Sequence, residues 1–356
     1  MSIKSTIIRT LQKNKVLFTM IYSVKNSFSR DYQELIYANA GIENQAFLVK
    51  GDLQSDEGLW YVCMYGVDED DFNGLFALIR FGIRAIDFAT GYGFKPCFII
   101  GKKSVYYDPL IDIETQNIFE YYFEAISPCL DEIKKNYKYV VSSNRHFNCF
   151  IDHTIDRKDG YHITDNQINN MANIYRKWFR LNDRTRDYIE SGINAVLSKD
   201  SKVIGVHVRG GDYKKQFKDH PRFVGFDRFL SATINLLKKG EYDKVFIATD
   251  DKEALNLFID NLGDKVLFFK DCERTDNDDS VVLNSTTGRY KMGLQVLRDA
   301  YALASCDAFI YGLSQVAFGV LFIKRANKSK FTEIVQIEMR INRSGGTPRE
   351  YFEKES

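Results

Sequence analysis

The stretch Ser201-Lys-Val-Ile-Gly-Val-His-Val-Arg-Gly-Gly-Asp212 decides how the second half of this chain is organised. A short buried strand is predicted by its β-branched residues, which are Val203, Ile204, Val206 and Val208. His207 lies in this strand, and Arg209 ends it before two glycines. An arginine at the end of an α/β strand, followed by glycines that let the backbone approach closely, suits an anionic ligand such as a diphosphate. The alternative, a structural salt bridge of Arg209 in a polar loop, stays open on these residues alone.

Short apolar strands alternate with helices on the C-terminal side of this stretch. The predicted strands span 203–208, 244–249, 265–269, 308–311 and 333–337, and the predicted helices span 226–239, 252–262, 292–304 and 316–324. Repeated βα alternation of this kind predicts a doubly wound parallel sheet.

The first half contains a further βαβ unit, in which a strand at 59–67 and a strand at 95–100 flank a helix that begins after Asn73 and ends near Gly91. Asn73 is the predicted N-cap of that helix. Later in this half we predict a helix over 114–137 that breaks at Pro128, a strand over 138–142, a helix opened by a capping box at Thr164 and Gln167, and a helix capped by Asn182 or Asp183. Together these patterns predict an α/β protein with two Rossmann-like domains that face each other across a cleft.

The predicted domain bounds are 1–198 for the N-terminal domain, 199–338 for the C-terminal domain and 339–356 for a charged tail. A formal net charge of +1 over 356 residues provides no basic field to recruit nucleic acid. The N-terminus shows no secretory signal pattern, so we expect a cytoplasmic protein. Peripheral association at the inner face of the membrane is an open alternative.

No metal site is predicted. The acidic run over 68–71 has no ligand periodicity, and the spacings of His146, His153 and His162 match no metal-binding pattern. Three of the six cysteines, Cys63, Cys97 and Cys306, lie in apolar stretches and are predicted core residues.

Polar residues follow four segments of the second half, namely His207, Arg209 and Asp212, then Asp250 and Asp251, then Asp299, and finally Ser314 with Gln315. Because the carboxyl ends of parallel strands meet at one edge of a sheet, these residues are predicted to share one crevice. Arginine can bind phosphate oxygens with two parallel hydrogen bonds, and Ser314 at a helix start adds further donors. Asp299 is either an acceptor for a guanine edge or a helix surface acid.

The order of these motifs resembles that of the GDP-fucose-dependent fucosyltransferases. The matching segments are His207-Val-Arg-Gly-Gly-Asp-Tyr213, Ile247-Ala-Thr-Asp-Asp251, Gly293 to Asp299 with Tyr301 to Asp307, Ser314-Gln-Val316 and, in the first half, Phe72-Asn-Gly-Leu-Phe76. The chain looks closest to the α1,6 group, which includes the core N-glycan and rhizobial nodulation enzymes. Its His-x-Arg-x-x-Asp-Tyr motif is also similar to that of the α1,2 group.

This resemblance implies a GT-B-type fold and an inverting transfer that needs no metal and no cofactor, with GDP-fucose as co-substrate and a saccharide or glycolipid as acceptor. It implies that Arg209 holds the β-phosphate and stabilises the departing GDP. The other implied roles are His207 against the nucleotide, Asp299 on guanine, Ser314 and Gln315 on phosphate, Asp250 and Asp251 as supports, and Asn73 and Gly74 across the cleft near the sugar.

Two features depart from the family pattern. Gly210 stands where the α1,6 group has a second arginine, so we expect Arg222 or Arg289 to supply that contact or the contact to be missing. The family's proposed catalytic base has no clear counterpart, and Asp219 and Asp212 are the candidates. A transferase of another GDP-linked sugar and a catalytically inactive sugar-nucleotide-binding protein are the alternative functions.

Overall fold

The computed structural model describes residues 58–91, 93–111, 116–141, 163–278, 280–281 and 284–346. The predicted N-terminal domain therefore lies partly outside the described residues. His146, His153 and His162 lie outside them. The prediction that these histidines bind no metal stays a prediction.

The first half of the described chain builds a parallel sheet. Its strands are β1 (Trp60–Tyr65), β2 (Lys95–Ile100) and β3 (Tyr139–Val141), arranged in the order β2-β1-β3. Helix α1 (Leu75–Gly91) connects β1 to β2. The strand pairs are parallel, and Val62 and Cys63 at the centre of β1 are completely buried, as expected when helices and loops cover both faces of a parallel sheet. The predicted βαβ unit is confirmed.

Among the described residues, three further α-helices precede the second sheet, namely α2 (Leu130–Asn136), α3 (Asp165–Trp178) and α4 (Asp183–Val196). Helix α3 begins with the predicted capping box, in which the Thr164 hydroxyl accepts from the Gln167 N–H and the Gln167 side chain accepts from the Thr164 N–H. Asn182 caps α4 by accepting from the Thr185 N–H at 2.9 Å. Both helix starts are therefore confirmed.

The helix predicted over 114–137 is wrong in its middle. Only a 3₁₀ turn (Ile118–Tyr121) and α2 are helical among its described residues. The Asn117 side chain accepts from the Ile100 N–H at 2.9 Å and donates to the Phe98 carbonyl at 3.0 Å, which ties this segment to β2. Farther on, the Glu124 N–H donates to the Arg180 carbonyl at 2.8 Å. These tertiary hydrogen bonds replace the helical ones that local periodicity favours.

The second half forms a five-stranded parallel sheet within the described residues. Its strands are β4 (Val203–Val208), β5 (Lys244–Thr249), β6 (Val266–Leu267), β7 (Ala308–Tyr311) and β8 (Glu333–Gln336), and its helices are α5 (Phe226–Leu237), α6 (Lys252–Leu262), α7 (Arg289–Ser305) and α8 (Gln315–Ala326). The strand order is β6-β5-β4-β7-β8, so the direction of winding reverses between β4 and β7. The predicted α/β class, with a parallel sheet in each half, is confirmed.

The two halves share one hydrophobic core. Buried residues from β1, α1 and α3 form a continuous cluster with buried residues of α7 and α8. Helix α8 packs on α1 so closely that a Cβ atom at Gly319 would overlap the Phe76 ring, which is itself 1% exposed. Cys63, Cys97 and Cys306 are all buried, as predicted.

Loops after the first sheet also hold the start of α7. Asp108, which follows β2, accepts from the Tyr290 N–H in the first turn of α7 at 3.3 Å. The Tyr122 hydroxyl donates to the Tyr290 carbonyl at 3.2 Å, and the two rings stack with centroids 5.7 Å apart. Because α7 begins at the carboxyl edge of the second sheet, these contacts bring the carboxyl edges of both sheets together. Within the described ranges, no helix combines the length and apolar composition needed to cross a bilayer.

The close crossing of α1 and α8 predicts the effect of adding one methyl group. Gly319→Ala is expected to lower the free energy of unfolding by about 1–3 kcal/mol, because the buried Phe76 ring has no room to move aside. Gly91→Ala is the matched control, since a Cβ there meets nothing within 4 Å, and it is expected to leave stability unchanged or raise it by up to about 1 kcal/mol. Chemical denaturation measures both, and equal stabilities of the two variants would contradict this packing.

Candidate functional site

The candidate site lies where the winding of the second sheet reverses. In open α/β sheets, ligands bind outside the carboxyl ends of the strands at this switch point. Here the switch point lies between β4 and β7, whose carboxyl ends lead to Arg209 and Ser314 respectively. Arg209 and Ser314, two of the predicted binding residues, therefore lie on the two sides of this crevice.

Arg209 is held by two carboxylates. Its guanidinium donates to Asp212 at 2.7 Å and also forms an ion pair with Asp250. The same group lies over the Tyr213 ring, 4.9 Å from its centroid. Burial lowers the pKa of Arg209, but Asp212 and Tyr213 raise it more, so the pKa is above its ordinary value and the group is charged. With 30% of its side chain exposed, Arg209 is a fixed positive charge that a ligand can reach.

Asp250 and Asp251 hold the loop that follows β4. Asp250 accepts from the Gly210 N–H at 2.9 Å, in addition to pairing with Arg209. Asp251 is 1% exposed, caps α6 by accepting from the Ala254 N–H at 3.2 Å, and accepts from Lys214 at 2.8 Å. All these contacts are internal, so the two acids orient the loop and Arg209.

The packing around Gly210 explains why no second arginine follows Arg209. A Cβ at Gly210 would lie 2.5 Å from both the Cβ and Oδ2 atoms of Asp251. The next residue, Gly211, has φ = +48°, a conformation that favours glycine. The two glycines thus let the loop press against the start of α6. Arg222 and Arg289, the predicted substitutes, both have exposed side chains.

His207 is a neutral imidazole beside this charged arginine. Its Nδ1 atom lies 3.3 Å from the Ser314 hydroxyl, which accepts from the Ala317 N–H at 3.0 Å. Either group can be the donor of this hydrogen bond, because the hydroxyl oxygen keeps a second lone pair and the neutral imidazole has two tautomers. Burial, followed by the charge of Arg209, lowers the pKa of His207 to about 3. His207 is thus a neutral donor at neutral pH.

The first turn of α8 adds positive potential on the other side of the switch point. Ser314 is the N-cap of this 12-residue helix, so the helix dipole and free N–H groups of the first turn lie beside His207. The Oε1 atom of Gln315 is buried and has no hydrogen-bond partner among the described residues. This end of α8 is suited to bind an anion.

Asp299 lies in a second polar cluster, between α7 and the segment after β6. Cys272 donates to Asp299 through a thiol at 3.8 Å, and neighbouring Arg298 donates to Asp271 at 2.6 Å. Burial raises the pKa of Asp299 to about 6, although Arg274 and Arg298 act in the opposite direction. A carboxyl group with this pKa exchanges its proton near neutral pH.

The loop from β1 to α1 brings Asn73 and Gly74 to the same edge. Helix α1 begins at Leu75, so the predicted capping role of Asn73 is wrong: its side-chain amide donates to Asp71 at 2.6 Å. The Leu75 N–H donates to the Tyr106 hydroxyl at 3.1 Å. Burial raises the pKa of Tyr106, whereas the Leu75 N–H and the charge of Arg209 lower it. Tyr106 therefore links the start of α1 to the surroundings of Arg209.

The two predicted catalytic carboxylates differ in their surroundings. Asp212 is bonded to Arg209, and Asp219, whose side chain is 66% exposed, lies 3.6 Å from Arg343. Asp219 also has φ = +62°, because its loop pairs with residues near the C-terminus. There the Asp219 N–H donates to the Asn342 carbonyl at 2.8 Å.

Sequence patterns did not reveal two residues of this region. Tyr106 bonds to the start of α1 and Lys214 pairs with Asp251, yet neither carries a motif signal. Tyr213, whose ring lies under Arg209, is the last residue of the His-x-Arg-x-x-Asp-Tyr motif. Pro221 and Ile341 form an antiparallel bridge, so residues 340–346 lie along this loop. The predicted domain bounds stay a prediction, but the segment called a tail includes these paired residues.

Neither a protein-family model nor a curated protein sequence matches the chain. Solved structures that it is similar to include NodZ α-1,6-fucosyltransferase soaked with GDP-fucose (TM-score 0.44, 15% identity, covering 75% of this chain and 92% of that one) and fucosyltransferase NodZ from Bradyrhizobium (TM-score 0.42, 16% identity, 75% and 92%). POFUT1 in complex with GDP is another (TM-score 0.43, 10% identity, 80% and 99%).

The neutral His207 predicts a loss of stability in acid. Between pH 6.5 and about pH 3 the unfolded chain binds a proton at this histidine and the folded chain does not, so stability falls as pH decreases. From pH 6.5 to pH 5 the wild type is expected to lose on the order of 1–2 kcal/mol more than His207→Asn. Urea denaturation at both pH values measures the difference, and parallel losses would contradict the assignment.

The contact of Gly210 with Asp251 predicts that a side chain at this position disrupts the loop. Gly210→Ala is expected to reduce the free energy of unfolding by about 1–3 kcal/mol, because Asp251 is fixed by its cap and by Lys214. Thermal unfolding beside the Gly91→Ala control provides the measurement. A melting temperature equal to that of the control would show that the loop has space here.

Proposed function

We propose that this chain is an inverting, metal-independent glycosyltransferase that transfers L-fucose from GDP-fucose to a hydroxyl of a saccharide, polysaccharide or glycolipid. One observation carries the proposal. The charged, partly exposed Arg209 and the N-terminus of α8 lie at the same switch point of the sheet. Both features favour a diphosphate, and His207 and Ser314, which the resemblance also assigns to the donor, lie beside them. Asp299 lies in the second polar cluster and is proposed to contact the guanine base. We expect the enzyme in the cytoplasm, with peripheral membrane association as an alternative.

The chemistry of transfer needs a fixed positive charge at the leaving group. As the bond between the sugar C1 atom and the β-phosphate oxygen breaks, negative charge grows on the diphosphate. Arg209 is already oriented by Asp212 and Asp250, so it loses little freedom when it binds phosphate. Backbone N–H groups at the start of α8 supply further donors to the same anion.

The remaining site residues suit the rest of the donor. His207 offers a neutral imidazole next to Arg209, and Asp299 has a carboxyl group able to accept from a guanine edge. Gln315 has a buried amide oxygen without a partner among the described residues. Asn73 and Gly74 belong to the opposite half and would contact the sugar or the acceptor.

There are two alternative functions. A transferase of another GDP-linked sugar would use the same diphosphate contacts. One observation favours an inactive sugar-nucleotide-binding protein. Asp212 and Asp250 both form ion pairs with Arg209, so neither carboxylate is available as a base. Donor binding without turnover would distinguish that case from the proposed enzyme.

A donor screen tests the proposal directly. Purified protein is titrated with GDP and UDP, and release of nucleotide is then followed for each nucleotide sugar with a glycan array as acceptor, in the presence of EDTA. We expect stabilisation by GDP and not by UDP, and transfer from GDP-fucose that EDTA does not abolish. Binding of UDP alone would overturn the donor assignment, and binding of GDP without transfer from any donor would support the inactive binder.

Arg209→Ala is expected to lower kcat at least about 100-fold, because it removes the charge that stabilises the leaving group. Its affinity for GDP should fall about 10-fold or more, as expected when a charge-assisted hydrogen bond is lost. Arg186→Ala is the matched control, because Arg186 likewise pairs with an aspartate three residues away, at 2.8 Å, but on the outer helix α4. Calorimetry and transfer kinetics measure both variants, and wild-type turnover in Arg209→Ala would refute the role.

A further inference from the structure

We propose that His220 is the general base, the group that accepts the proton of the attacking acceptor hydroxyl. This inference rests on the proposed transferase function and adds to it the residue that neither the sequence motifs nor the two candidate carboxylates supplied.

The backbone of His220 is fixed by the C-terminal segment. Its N–H donates to the Phe217 carbonyl at 3.2 Å, and its carbonyl accepts from the Asn342 N–H at 2.7 Å. On the far side, the Arg222 N–H donates to the Arg340 carbonyl at 3.0 Å. His220 therefore sits within a short two-stranded pairing, in a loop that begins at Arg209 and is anchored again beyond it. A base must be held in this way to meet a hydroxyl in one geometry.

The His220 ring is half-buried and has an apolar support. It packs edge-on against the Phe217 ring, with centroids 5.7 Å apart and planes at 75°. The charged groups of its own loop that act on it are Asp212, Asp219 and Arg209. From the C-terminal segment, Arg343 faces this cluster through its 3.6 Å contact with Asp219.

These surroundings favour the neutral imidazole. Burial lowers the pKa of His220 below its ordinary value, against the opposing effect of Asp212 and Asp219 and with a smaller contribution from Arg209. A neutral imidazole at neutral pH can accept a proton, and histidine is the side chain most often used for this purpose.

The two carboxylates are poorer bases. Asp212 accepts a hydrogen bond from Arg209 at 2.7 Å, and Asp219 is mostly exposed and lies 3.6 Å from Arg343. Asp212 instead interacts electrostatically with both Arg209 and His220. Its negative charge would stabilise the imidazolium that forms when His220 takes up a proton, and it would keep Arg209 oriented toward the diphosphate.

The step balances without a further reactant. The acceptor oxygen forms a bond to C1 of the sugar, and the bond from C1 to the β-phosphate oxygen breaks, with its electron pair leaving on GDP. The hydroxyl proton passes to a ring nitrogen of His220 and from there to water. Arg209 faces the negative charge that develops on the diphosphate, and His220 faces the positive charge that develops at the attacking hydroxyl.

The test uses His220→Gln and His220→Ala in the full chain, with Lys218→Ala, an exposed residue of the same loop, as the control. His220→Gln is expected to lower kcat for fucose transfer by about 10²–10⁴-fold, while the KM for GDP-fucose and the Kd for GDP change less than about twofold. In the wild type, kcat should rise with pH to a plateau reached below pH 7, and this rise should be absent in His220→Ala. Added imidazole should restore part of the transfer by His220→Ala, which a purely structural role would not allow.

Three outcomes would overturn the assignment: kcat within about threefold of wild type in His220→Gln, weakened GDP binding that accounts for the loss, or no rescue by imidazole. A larger loss in Asp219→Asn than in His220→Gln would assign the base to Asp219 instead. The proposed function fails separately, and this inference with it, if the wild-type protein neither binds GDP nor transfers fucose.

Discussion

The contact between the β4 loop and the start of α6 is the constraint on which the candidate site depends. Two adjacent glycines let the backbone approach the buried carboxylate of Asp251, while Asp250 accepts from the Gly210 N–H. Arg209 is oriented by the same arrangement, since Asp250 also pairs with its guanidinium. A larger residue at position 210 would separate these groups. The glycine that departs from the family pattern is therefore part of the device that fixes the arginine.

Electrostatic differences among neighbouring groups give the site its chemical character. Arg209 keeps its charge because carboxylates offset the cost of burial, whereas His207, buried beside it and bonded to Ser314, stays neutral. A cation, a neutral donor and a helix N-terminus thus lie at one switch point, which is a combination suited to a diphosphate with an attached base. The half-buried His220 adds a proton acceptor on the same loop.

Contacts between the two halves determine where the opposing loop lies. The Asp108 cap on α7 and the stacking of Tyr122 on Tyr290 join the carboxyl edges of the two sheets, and the Gly319 crossing joins their helices. As a result Tyr106 is near enough to Arg209 for that charge to lower its pKa. The Tyr106 hydroxyl also bonds to the start of α1, so Asn73 and Gly74 lie on this side of the site. The loops on the two sides of the candidate site are thereby supported by one continuous core.

Local sequence determined most of the elements, because strands such as β5 and β7 are apolar runs bounded by polar turns, and because the caps at Thr164 and Asn182 use only neighbouring residues. It also located Arg209 and Ser314 at strand ends, since parallel strands share an edge. Only the tertiary structure decided what depends on distant partners: the unwinding around Asn117, the Tyr106 hydroxyl that accepts at the start of α1, the packing of Gly210 on Asp251, and the pairing of Asn342 with the His220 loop. These hydrogen bonds and contacts join residues far apart in the chain, and no local pattern encodes them.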